Sequence, residues 1–461
     1  MLHAVKQTVR DLVPGSALSW YHRALAKTAS VVYGSPSSKM LTIGVTGTKG
    51  KSSVCYLVSH VLEQAGYRVG MTTTAVFKVG PREWLNPTKM TMLGRFALHR
   101  LLRRMLDEKC EAAIVESSAE GLAQWRHTGI GYDMAVFTNL TPENIHMYGS
   151  FEKYKEVKGR LFGALRADRA RRKQVNGRLV LKIAIGNSDD PSAGYYLSFP
   201  ADETWTFGVK PESPDVAWRG EGKRGSHVLV EHMELSAHGS QFLVDGVSFR
   251  LALIGRTNVM NAAAAIAVGR SLGVPLESIA EALASVHGVP GRFERIDEGQ
   301  DYTVIVDYAH EPESFKQLYE AAELLPHERI IHVFGGTGGG RDTSRRPVMG
   351  TIAGTKADVV IVTMDDPYDE DPSAIAGHVI EGARAAGKVL DKDLFDIVDR
   401  KEAIRAAVRM AQAGDLILVT GKGSEQKMML AGGKKLTWDD REAVRIAIHV
   451  QGQKVEVYGR D

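Results

Sequence analysis

A glycine-rich segment follows a short apolar run near residue 41 and precedes a long amphipathic stretch. Residues 44–53 have the sequence GVTGTKGKSS. Glycines in such a loop let backbone N–H groups turn inward around phosphate oxygens, and the start of the following helix favours anions. Lys51 would supply positive charge to the terminal phosphates, and Ser52 would supply a hydroxyl to Mg²⁺. The segment therefore predicts a nucleotide-phosphate site, against the alternative of a strand-to-helix turn that binds nothing.

A carboxylate able to share that metal ends another apolar run. Glu116 closes the segment EAAIVE. The carboxyl ends of parallel strands meet at one edge of a sheet, so this carboxylate can face the phosphate loop and hold Mg²⁺ together with Ser52. The alternative for Glu116 is an exposed carboxylate at a strand end.

The composition is that of an ordinary globular protein. The 461 residues are 44% hydrophobic and 25% charged, which excludes disordered and collagen-like chains. The formal charge of +3 is too small to predict a nucleic-acid partner. Cys55 and Cys110 are the only cysteines, so neither a disulfide framework nor a CxxC metal pair can form. The most apolar run, residues 259–268, is shorter than the roughly 18 residues of a membrane span, so we expect a cytoplasmic protein with small-molecule substrates and no membrane partner.

Three regions with different residue patterns must position the phosphate loop and Glu116. From residue 41 to about 170, apolar runs alternate with amphipathic stretches, which predicts a parallel sheet covered by helices on both faces. Between about 179 and 255, strand-like segments broken by Gly, Pro, Ser and Asp predict antiparallel strands beside that sheet. A second alternation then predicts a doubly wound domain. The predicted fold class is α/β, with a short helical N-terminal arm (1–40), a P-loop parallel-sheet ATPase domain (41–296) and a Rossmann-like doubly wound C-terminal domain (297–461).

The phosphate loop has the spacing GxxGxxGKS rather than GxxxxGK[ST], because Val45 stands five residues before Gly50. This spacing resembles the GxTGTNGK[ST] loop of the Mur ligase superfamily, with Lys49 in place of Asn. Further motifs of that family follow in order: VESSAEGLAQWR (115–126), TNLTPENIHMYGSFEKYKEVKGRLF (138–162), GRTNVMNAAAA (255–265), GVPGRFERI (288–296), DYAHEPES (307–314), VFGGTGGGRDTSRRPVMG (333–350) and VTGKGSEQ (419–426). The best match is the MurE branch, whose members add the third amino acid to UDP-N-acetylmuramoyl dipeptide in peptidoglycan biosynthesis.

The resemblance implies an ATP-dependent acid–amino-acid ligase. ATP would phosphorylate an acceptor carboxylate and an amine would attack the acyl phosphate, so catalysis would be mostly positioning and charge stabilisation. The residues that the resemblance places in catalysis are Lys51, Glu116, Lys158, Arg292 and His310. Those around ATP are Gly47, Thr48, Lys49, Gly50, Lys51, Ser52, Ser53, Asn258, Asn261, Arg292 and Asp307. Those around Mg²⁺ are Ser52, Glu116, Asn144 and Lys158.

Two of these metal positions are chemically unusual. Lys158 aligns with the lysine that family members carry as a carbamate, which would turn a cation into an anionic ligand for a second Mg²⁺. Asn144 stands where the family usually has a metal-binding His. Its amide oxygen can still bind Mg²⁺ and His146 is nearby, but this departure leaves open a non-catalytic, Mur-like ATP-binding partner.

The implied substrate residues form two sets. The acceptor set is Thr73, Thr74, Ser118, Gln124 and Arg126, and the amino-acid set is Arg341, Asp365, Asp366, Tyr368 and Glu425. Diaminopimelate-adding members carry a DNPR motif, whereas this chain has DDPY at residues 365–368. Because that arginine is absent, we expect diaminopimelate to be disfavoured relative to lysine, ornithine or another amine.

Only 40 residues precede the first apolar strand, where MurE-type ligases carry a uridine-binding domain. We therefore expect either that the arm holds the nucleotide of the acceptor or that the acceptor lacks UDP. Folylpolyglutamate synthases share the two-domain core without a uridine domain and are the alternative enzyme, but GKSS and the absence of an SPH motif favour the Mur ligases. We expect a monomer or a weak dimer.

Overall fold

The computed structural model describes residues 15–166, 173–175, 177–211 and 223–458. The first 14 residues of the predicted arm lie outside the described residues. The rest of the arm contains helix α1 (Gly15–Val32) and a 3-10 turn (Pro36–Lys39). Both pack against the helix Arg95–Asp107. The helical nature of the described part of the arm is thus confirmed.

A nine-stranded sheet forms the larger part of the molecule. Its strands are β1 (Leu41–Thr46), β2 (Val69–Thr72), β3 (Val76–Val79), β4 (Arg82–Leu85), β5 (Ala112–Glu116), β6 (Met134–Phe137), β9 (Ile183–Asn187), β10 (Glu203–Gly208) and β11 (Lys223–Leu229), while β7 (Gln174–Val175) and β8 (Arg178–Leu179) pair separately. The order is β11-β10-β9-β6-β1-β5-β2-β3-β4. Among its described pairings, only those of β3 with β2 and with β4 are antiparallel. The central strands are buried along their whole length, as expected for a parallel sheet.

Helices cover both faces of this sheet because successive strand side chains point to opposite sides. The helices of this region are α2 (Lys51–Gln64), α3 (Arg95–Asp107), α4 (Ala119–Ala123), α5 (Phe151–Arg166), α6 (Ala193–Leu197), α7 (Arg256–Ser271) and α8 (Leu276–Ala284). Ile114 joins the core formed with α2, α7 and α8. Its neighbours Ala113 and Val115 join the opposite core with α3 and α5. The predicted two-sided covering is confirmed.

The predicted antiparallel strands between 179 and 255 are only partly confirmed. Strands β9, β10 and β11 extend the large sheet in parallel, so the prediction is wrong for them. The crossover from β9 to β10 uses α6, a helix of five residues that is too short to show a helical period in the sequence. The antiparallel prediction is correct for β12 (Glu231–Ser236), β13 (Gly239–Val244) and β14 (Val247–Leu251). Residues 212–222 lie outside the described residues.

A six-stranded sheet forms the second α/β layer structure. Its strands are β15 (Glu294–Ile296), β16 (Thr303–Asp307), β17 (Ile330–Phe334), β18 (Val359–Val362), β19 (Leu394–Asp396) and β20 (Leu416–Thr420), in the order β15-β16-β20-β17-β18-β19. Only β15 is antiparallel to its neighbour. Helices α9 (Pro312–Ala322), α10 (Arg345–Lys356) and α11 (Pro372–Ala385) pack on one face, and α12 (Arg400–Met410) and α13 (Asp440–Tyr458) pack on the other. The hairpin β21 (Lys427–Met429) and β22 (Lys435–Thr437) follows β20. This arrangement confirms the predicted doubly wound α/β fold class.

The second sheet begins slightly before the predicted boundary at residue 297, since β15 starts at Glu294 and pairs with β16. Within the described ranges, no helix has both the length and the apolar character needed to cross a membrane.

Candidate active site

One cavity of about 920 Å³ is lined by residues that follow strands of both sheets. The nine-stranded sheet contributes the loop after β1, Glu116 at the end of β5 and the loop after β6. The six-stranded sheet contributes Asp307 at the end of β16 and segments after β17, β18 and β20. Ligands of open α/β sheets bind at this edge. All the predicted site residues line this cavity except Gly47, Thr73 and Gln124.

The phosphate loop connects β1 to α2 and is held by side chains from neighbouring segments. Gly47 and Gly50 have φ values of 148° and 80°. A Cβ on Gly47 would collide with the Thr138 hydroxyl, which donates to the Lys49 carbonyl at 2.7 Å. Lys158 Nζ donates to the Gly47 carbonyl at 2.7 Å. The loop conformation therefore depends on glycine at position 47.

A hydrogen-bonded group of oxygen ligands lies beside this loop. Ser52 Oγ donates to Glu116 Oε2 at 2.8 Å. The Thr74 N–H donates to the same oxygen at 2.7 Å, and the Thr74 hydroxyl donates to Glu116 Oε1 at 3.0 Å. A hydroxyl and a carboxylate in contact are the kind of oxygen ligands that Mg²⁺ prefers. The donor set at the start of α2 therefore fits the metal that the sequence predicts there.

Two lysines bring positive charge to the loop, of which Lys51 is half-buried and Lys158 is buried. Lys51 Nζ donates to the Thr48 carbonyl at 2.8 Å, and burial lowers the pKa of Lys51 although Glu116 opposes this shift. Lys158 is 1% exposed. Burial, together with the charge of Lys51, holds the pKa of Lys158 well below its ordinary value. A lysine in this environment is available as a neutral, nucleophilic amine.

Sequence reasoning misses Glu143, which lines the cavity next to the loop. Its Oε2 lies 3.7 Å from Lys49 Nζ. Burial would raise the pKa of Glu143, but Lys49 and the cations around it lower that pKa to about 2. Ligand atoms of Glu143, His310 and Glu311 lie within 4.8 Å of one another. The only sequence signal for Glu143 is its place beside Asn144 in TPEN.

Asn144 has a conformation that presents an amide oxygen without a partner. Its φ is 49°, in the left-handed region. Its Oδ1 is buried and accepts no hydrogen bond from the described residues, and the side chain lines the cavity. A buried, unpartnered oxygen at a predicted metal position fits a ligand role.

Asn258 and Asn261, two of the residues predicted around ATP, lie near the start of α7, which begins at Arg256. Asn261 Nδ2 donates to Asn258 Oδ1 at 3.3 Å. Asn258 Nδ2 donates to the Ile254 carbonyl at 2.9 Å. Both residues line the cavity from one helix turn, and each amide keeps hydrogen-bonding capacity for a ligand.

Arg292 crosses from the six-stranded sheet to the phosphate loop. Its guanidinium lies 4.2 Å from the centre of the Tyr308 ring and donates to Ser52 Oγ at 3.3 Å. Asp307 accepts two backbone N–H bonds, at 2.6 and 2.7 Å, and burial raises its pKa. Burial and the charge of Lys49 lower the pKa of His310 to about 3, so this imidazole is neutral at pH 7.

Among the predicted acceptor residues, Gln124 contacts Arg126. Ser118 caps α4 by accepting a backbone N–H at 3.2 Å, and it lines the cavity. Arg126 Nη2 donates to Gln124 Oε1 at 2.8 Å and to Glu120 Oε1 at 3.2 Å. Gln124 therefore orients Arg126 without lining the cavity. The Thr73 hydroxyl donates to a backbone carbonyl within its own turn at 2.8 Å, so its side chain serves the turn.

The predicted amino-acid residues include three buried carboxylates. Lys422 Nζ lies 3.6 Å from Asp365, 2.9 Å from Asp366 and 2.6 Å from Glu425. Lys89, in the loop after β4, forms ion pairs with Asp366 and Glu425. Sequence reasoning misses both lysines. Lys422 belongs to the motif VTGKGSEQ and could have been found there, whereas nothing in the sequence links Lys89 to this cluster.

Arg341 and Tyr368 line the same end of the cavity. Tyr368 has a φ of 53°, and its ring lies where a Cβ on Gly339 would be. Arg341 interacts with Tyr308 and Tyr368, and the Tyr308 hydroxyl donates to Glu425 at 3.2 Å, so the cavity holds both signs of charge. Such a pattern matches the two charged groups of an amino acid.

Comparison with known proteins finds Mur ligase relatives over nearly the whole chain. The profile of the Mur ligase middle domain matches residues 45–269, and that of the Mur ligase, glutamate ligase domain matches residues 291–423. A UDP-N-acetylmuramoyl-L-alanyl-D-glutamate--2,6-diaminopimelate ligase of Geobacillus kaustophilus (strain HTA426) is 37% identical over 447 residues, which cover 95% of this chain and 85% of the relative. A UDP-N-acetylmuramyl-tripeptide synthetase of Roseiflexus sp. (strain RS-1) is 37% identical, covering 92% of this chain and 82% of the relative.

Solved structures that resemble this chain include ligases of the same kind. A UDP-N-acetylmuramoyl-L-alanyl-D-glutamate--2,6-diaminopimelate ligase is 28% identical with a TM-score of 0.56, covering 90% of this chain and 79% of its own. A Mycobacterium tuberculosis folylpolyglutamate synthase, complexed with ADP and AMPPCP, has a TM-score of 0.62 at 17% identity, covering 87% of this chain and 92% of its own, which shows a shared fold. The chain belongs to the Mur ligase family, and its relatives include MurE-type tripeptide synthetases.

Proposed function

We propose that this protein is an ATP-dependent ligase that joins the amine of an amino acid to a carboxylate of a UDP-muramoyl-peptide-like acceptor. The observation that carries the proposal is the shared cavity. It combines the phosphate loop, the Ser52–Glu116 pair and a cluster of carboxylates with an arginine. Relatives at 37% identity are named as ligases of this type.

The reaction needs two displacements and no protein nucleophile. An oxygen of the acceptor carboxylate attacks the γ-phosphorus of ATP, and ADP leaves. The amine then attacks the carbonyl carbon of the acyl phosphate, phosphate leaves with the former carboxylate oxygen, and the amine loses a proton. Lys51 and Arg292 are placed to neutralise the transferring phosphoryl group, Arg292 because it already reaches Ser52 across the cavity.

Ser52 and Glu116 would hold the Mg²⁺ that accompanies ATP. Bound there, the ion would neutralise phosphate charge and orient the phosphoryl group. Asn144, with its unpartnered oxygen, and Lys158 are the proposed ligands of a second ion. The neighbouring Glu143 adds a carboxylate, which offsets the loss of the usual imidazole at Asn144.

The surroundings of Lys158 support the proposal that this lysine is carbamylated. The amine is buried with a lowered pKa; Lys51 and Lys49 are cations that add to this shift, and Glu143 and Glu116 oppose it. Addition of CO₂ to the neutral amine would release a proton and create an anion among those cations. The carbamate would be attracted to those cations and would supply a metal ligand.

The expectation that diaminopimelate is disfavoured is not kept. Curated relatives of this chain are named for diaminopimelate, although the chain has Asp366 and Tyr368 in the corresponding motif. Diaminopimelate is therefore one of the amino acids that the assay compares. The acceptor and amino-acid ends of the cavity are proposed to be the Arg126 and Arg341 regions respectively.

A panel assay tests the proposal. Purified protein with ATP and Mg²⁺ is given UDP-N-acetylmuramoyl dipeptide, its nucleotide-free analogue or a folate, each with diaminopimelate, lysine, ornithine, alanine or glutamate. We expect ADP and an amide product, identified by mass, with a muramoyl acceptor. Product with folate and glutamate only would overturn the proposal in favour of a folylpolyglutamate-synthase-like ligase. ATP binding without any turnover would favour a non-catalytic ATP-binding partner.

A further inference from the structure

The helical arm lies along the short segment that follows α4. Ser30 Oγ, near the end of α1, donates to the Gly129 carbonyl at 2.8 Å. Ser37 Oγ, in the 3-10 turn, accepts the Gly131 N–H at 3.1 Å. The approach is close, because a Cβ on Gly129 would collide with Ser30. The arm is therefore in direct contact with the chain just after the turn that carries Arg126.

Arg23 extends this contact to the side chain of Trp125. The Arg23 guanidinium lies 3.5 Å from the centre of the Trp125 ring. Arg160, on α5, places a second guanidinium 4.2 Å from the ring centre. A cation over an indole ring is attracted by the negative face of the ring. The indole ring of Trp125 is therefore held from the arm and from α5 together.

Trp125 has a backbone conformation that needs such support. Its φ is 57°, in the left-handed region, which residues other than glycine enter at an energetic cost. The N–H groups of Trp125 and Arg126 donate to the carbonyls of Leu122 and Gly121 at 3.1 and 2.9 Å, which closes the turn after α4. The two guanidinium contacts act on the side chain of the residue that carries the cost. They therefore stabilise this turn in its left-handed conformation.

The same turn orients Arg126. Gln124 Oε1 accepts hydrogen bonds from Arg126 Nε at 3.2 Å and from Nη2 at 2.8 Å. The Met92 carbonyl accepts a bond from Nη1 at 2.6 Å. Arg126 is 7% exposed and lines the cavity. Because Trp125 stands between Gln124 and Arg126 in the chain, a change in its φ would move these two hydrogen-bonded residues relative to each other.

We propose that Arg23 is a positioning residue for acceptor binding: through its contact with Trp125 it fixes the turn that directs Arg126 to an anionic group, a carboxylate or a phosphate, of the acceptor. This inference rests on the proposed function. Arg23 is exposed and does not line the cavity, so its effect reaches the acceptor only through Trp125. The arm thereby becomes part of the support of the acceptor site.

Steady-state kinetics with the acceptor that gives product tests the inference. Arg23→Met removes the cation, so we expect KM for the acceptor to rise about two- to fivefold, the effect of one exposed cation–ring contact, with kcat and KM for ATP unchanged. Arg23→Lys keeps a cation at the ring and should restore most of the parent KM. Lys27→Met, at an exposed lysine of the same helix, is the matched control and should keep the parent KM.

A double-mutant cycle separates positioning from general stabilisation of the arm. Trp125→Leu removes the ring on which Arg23 acts, so Arg23→Met should add no further rise in KM to that variant. An equal rise with and without the ring would overturn the inference. An unchanged KM for the acceptor in Arg23→Met, or a fall in kcat with that KM unchanged, would overturn it as well.

If no acceptor gives product, the proposed function fails, and hydrogen exchange decides the inference separately. The N–H groups of Trp125 and Arg126 should exchange about twofold faster or more in Arg23→Met than in the parent protein, because the turn opens more often. Exchange in α2, and exchange of the same two groups in Lys27→Met, should stay at the parent rate. Equal exchange of the turn in Arg23→Met and the parent would overturn the inference.

Discussion

Lys51 carries the most direct test of the phosphate loop. Its ammonium donates to the Thr48 carbonyl and interacts with the Glu116 carboxylate. Replacing Lys51 with alanine removes a fixed cation from the place where phosphate charge would develop, so we expect kcat/KM for ATP to fall about 100-fold or more. Phosphate release measures the change. Lys356→Ala, at an exposed lysine paired with Glu323, is the control and should keep full activity; full activity of the Lys51 variant would remove the loop from the mechanism.

Lys158 gives a prediction about CO₂. If its buried amine is carbamylated, the parent protein should lose activity when it is degassed at mildly acidic pH and recover when bicarbonate is added. Lys158→Arg cannot form the carbamate and should be inactive with or without bicarbonate. The measurement is the rate of product formation before and after bicarbonate. A degassed parent protein with unchanged activity and an intact lysine mass would contradict the carbamate.

The chemistry of neighbouring residues could be predicted from the sequence, whereas contacts across the fold could not. Lys51 and Ser52 follow from loop spacing because their ligand is bound by consecutive residues. Glu143 and Lys89 have no such local signal. Each becomes part of the cavity only because segments distant in the sequence meet there, as the ion pair between Lys89 and Glu425 shows.

At the level of elements, the turn from β1 to α2 depends on one glycine. Gly47 has a φ of 148°, and a Cβ there would collide with the Thr138 hydroxyl. We expect Gly47→Ala to abolish ATP turnover and to lower the unfolding free energy by more than about 2 kcal/mol, because strain and the collision add.

Gly66 is the matched control for Gly47. Its φ is 87°, but a Cβ there would meet nothing within 4 Å. Gly66→Ala should therefore cost only the backbone strain, about 1 kcal/mol, and keep activity. Denaturant unfolding and phosphate release measure both variants. Equal effects of the two substitutions would contradict the role given to the Thr138 contact.

Strand β17 carries a buried histidine that should make stability depend on pH. His332 lies between the Tyr319 hydroxyl at 2.7 Å and the Thr420 hydroxyl at 2.9 Å, and burial lowers its pKa to about 3. The unfolded chain binds a proton below pH of about 6.5, but the folded chain does so only near pH 3. Stability is therefore lost as pH falls, by about 1.4 kcal/mol per pH unit from this group.

The variant His332→Gln separates this effect from other titrations. Its free energy of unfolding should fall less steeply between pH 6 and 4, by about 1.4 kcal/mol per unit, than that of the parent. Urea unfolding at several pH values measures both slopes. Equal slopes would mean that His332 is not kept neutral in the folded protein.

The type of an element could be predicted where the element is long enough to show its periodicity in the sequence. The alternation that predicts both parallel sheets comes from helices of 11 to 16 residues such as α2, α5 and α12. Strands β9 to β11 are predicted with the wrong direction because α6, the only described helix between β9 and β10, has five residues. A connection with so short a helix has a polar, glycine-containing sequence, and such a sequence is also typical of a hairpin turn.

At the scale of the whole molecule, function depends on the approach of two sheets that each supply half of the chemistry. Arg292 and Lys89 cross the cavity in opposite directions, to Ser52 and to Glu425. The phosphate loop and the carboxylate cluster are therefore brought together only in the complete fold. This is why motifs could assign a reaction class, while the pairing of charges at the amino-acid end required the structure.

The central claim is transfer of the γ-phosphoryl group to the acceptor carboxylate before the amide forms. UDP-N-acetylmuramoyl dipeptide labelled with ¹⁸O in its reacting carboxylate, mixed with ATP, Mg²⁺ and the amino acid that gives product, tests it directly. Each phosphate released should carry one ¹⁸O from the acceptor, because the bond formed in the first displacement stays with phosphate in the second. Unlabelled phosphate, or the label in AMP, would contradict the account.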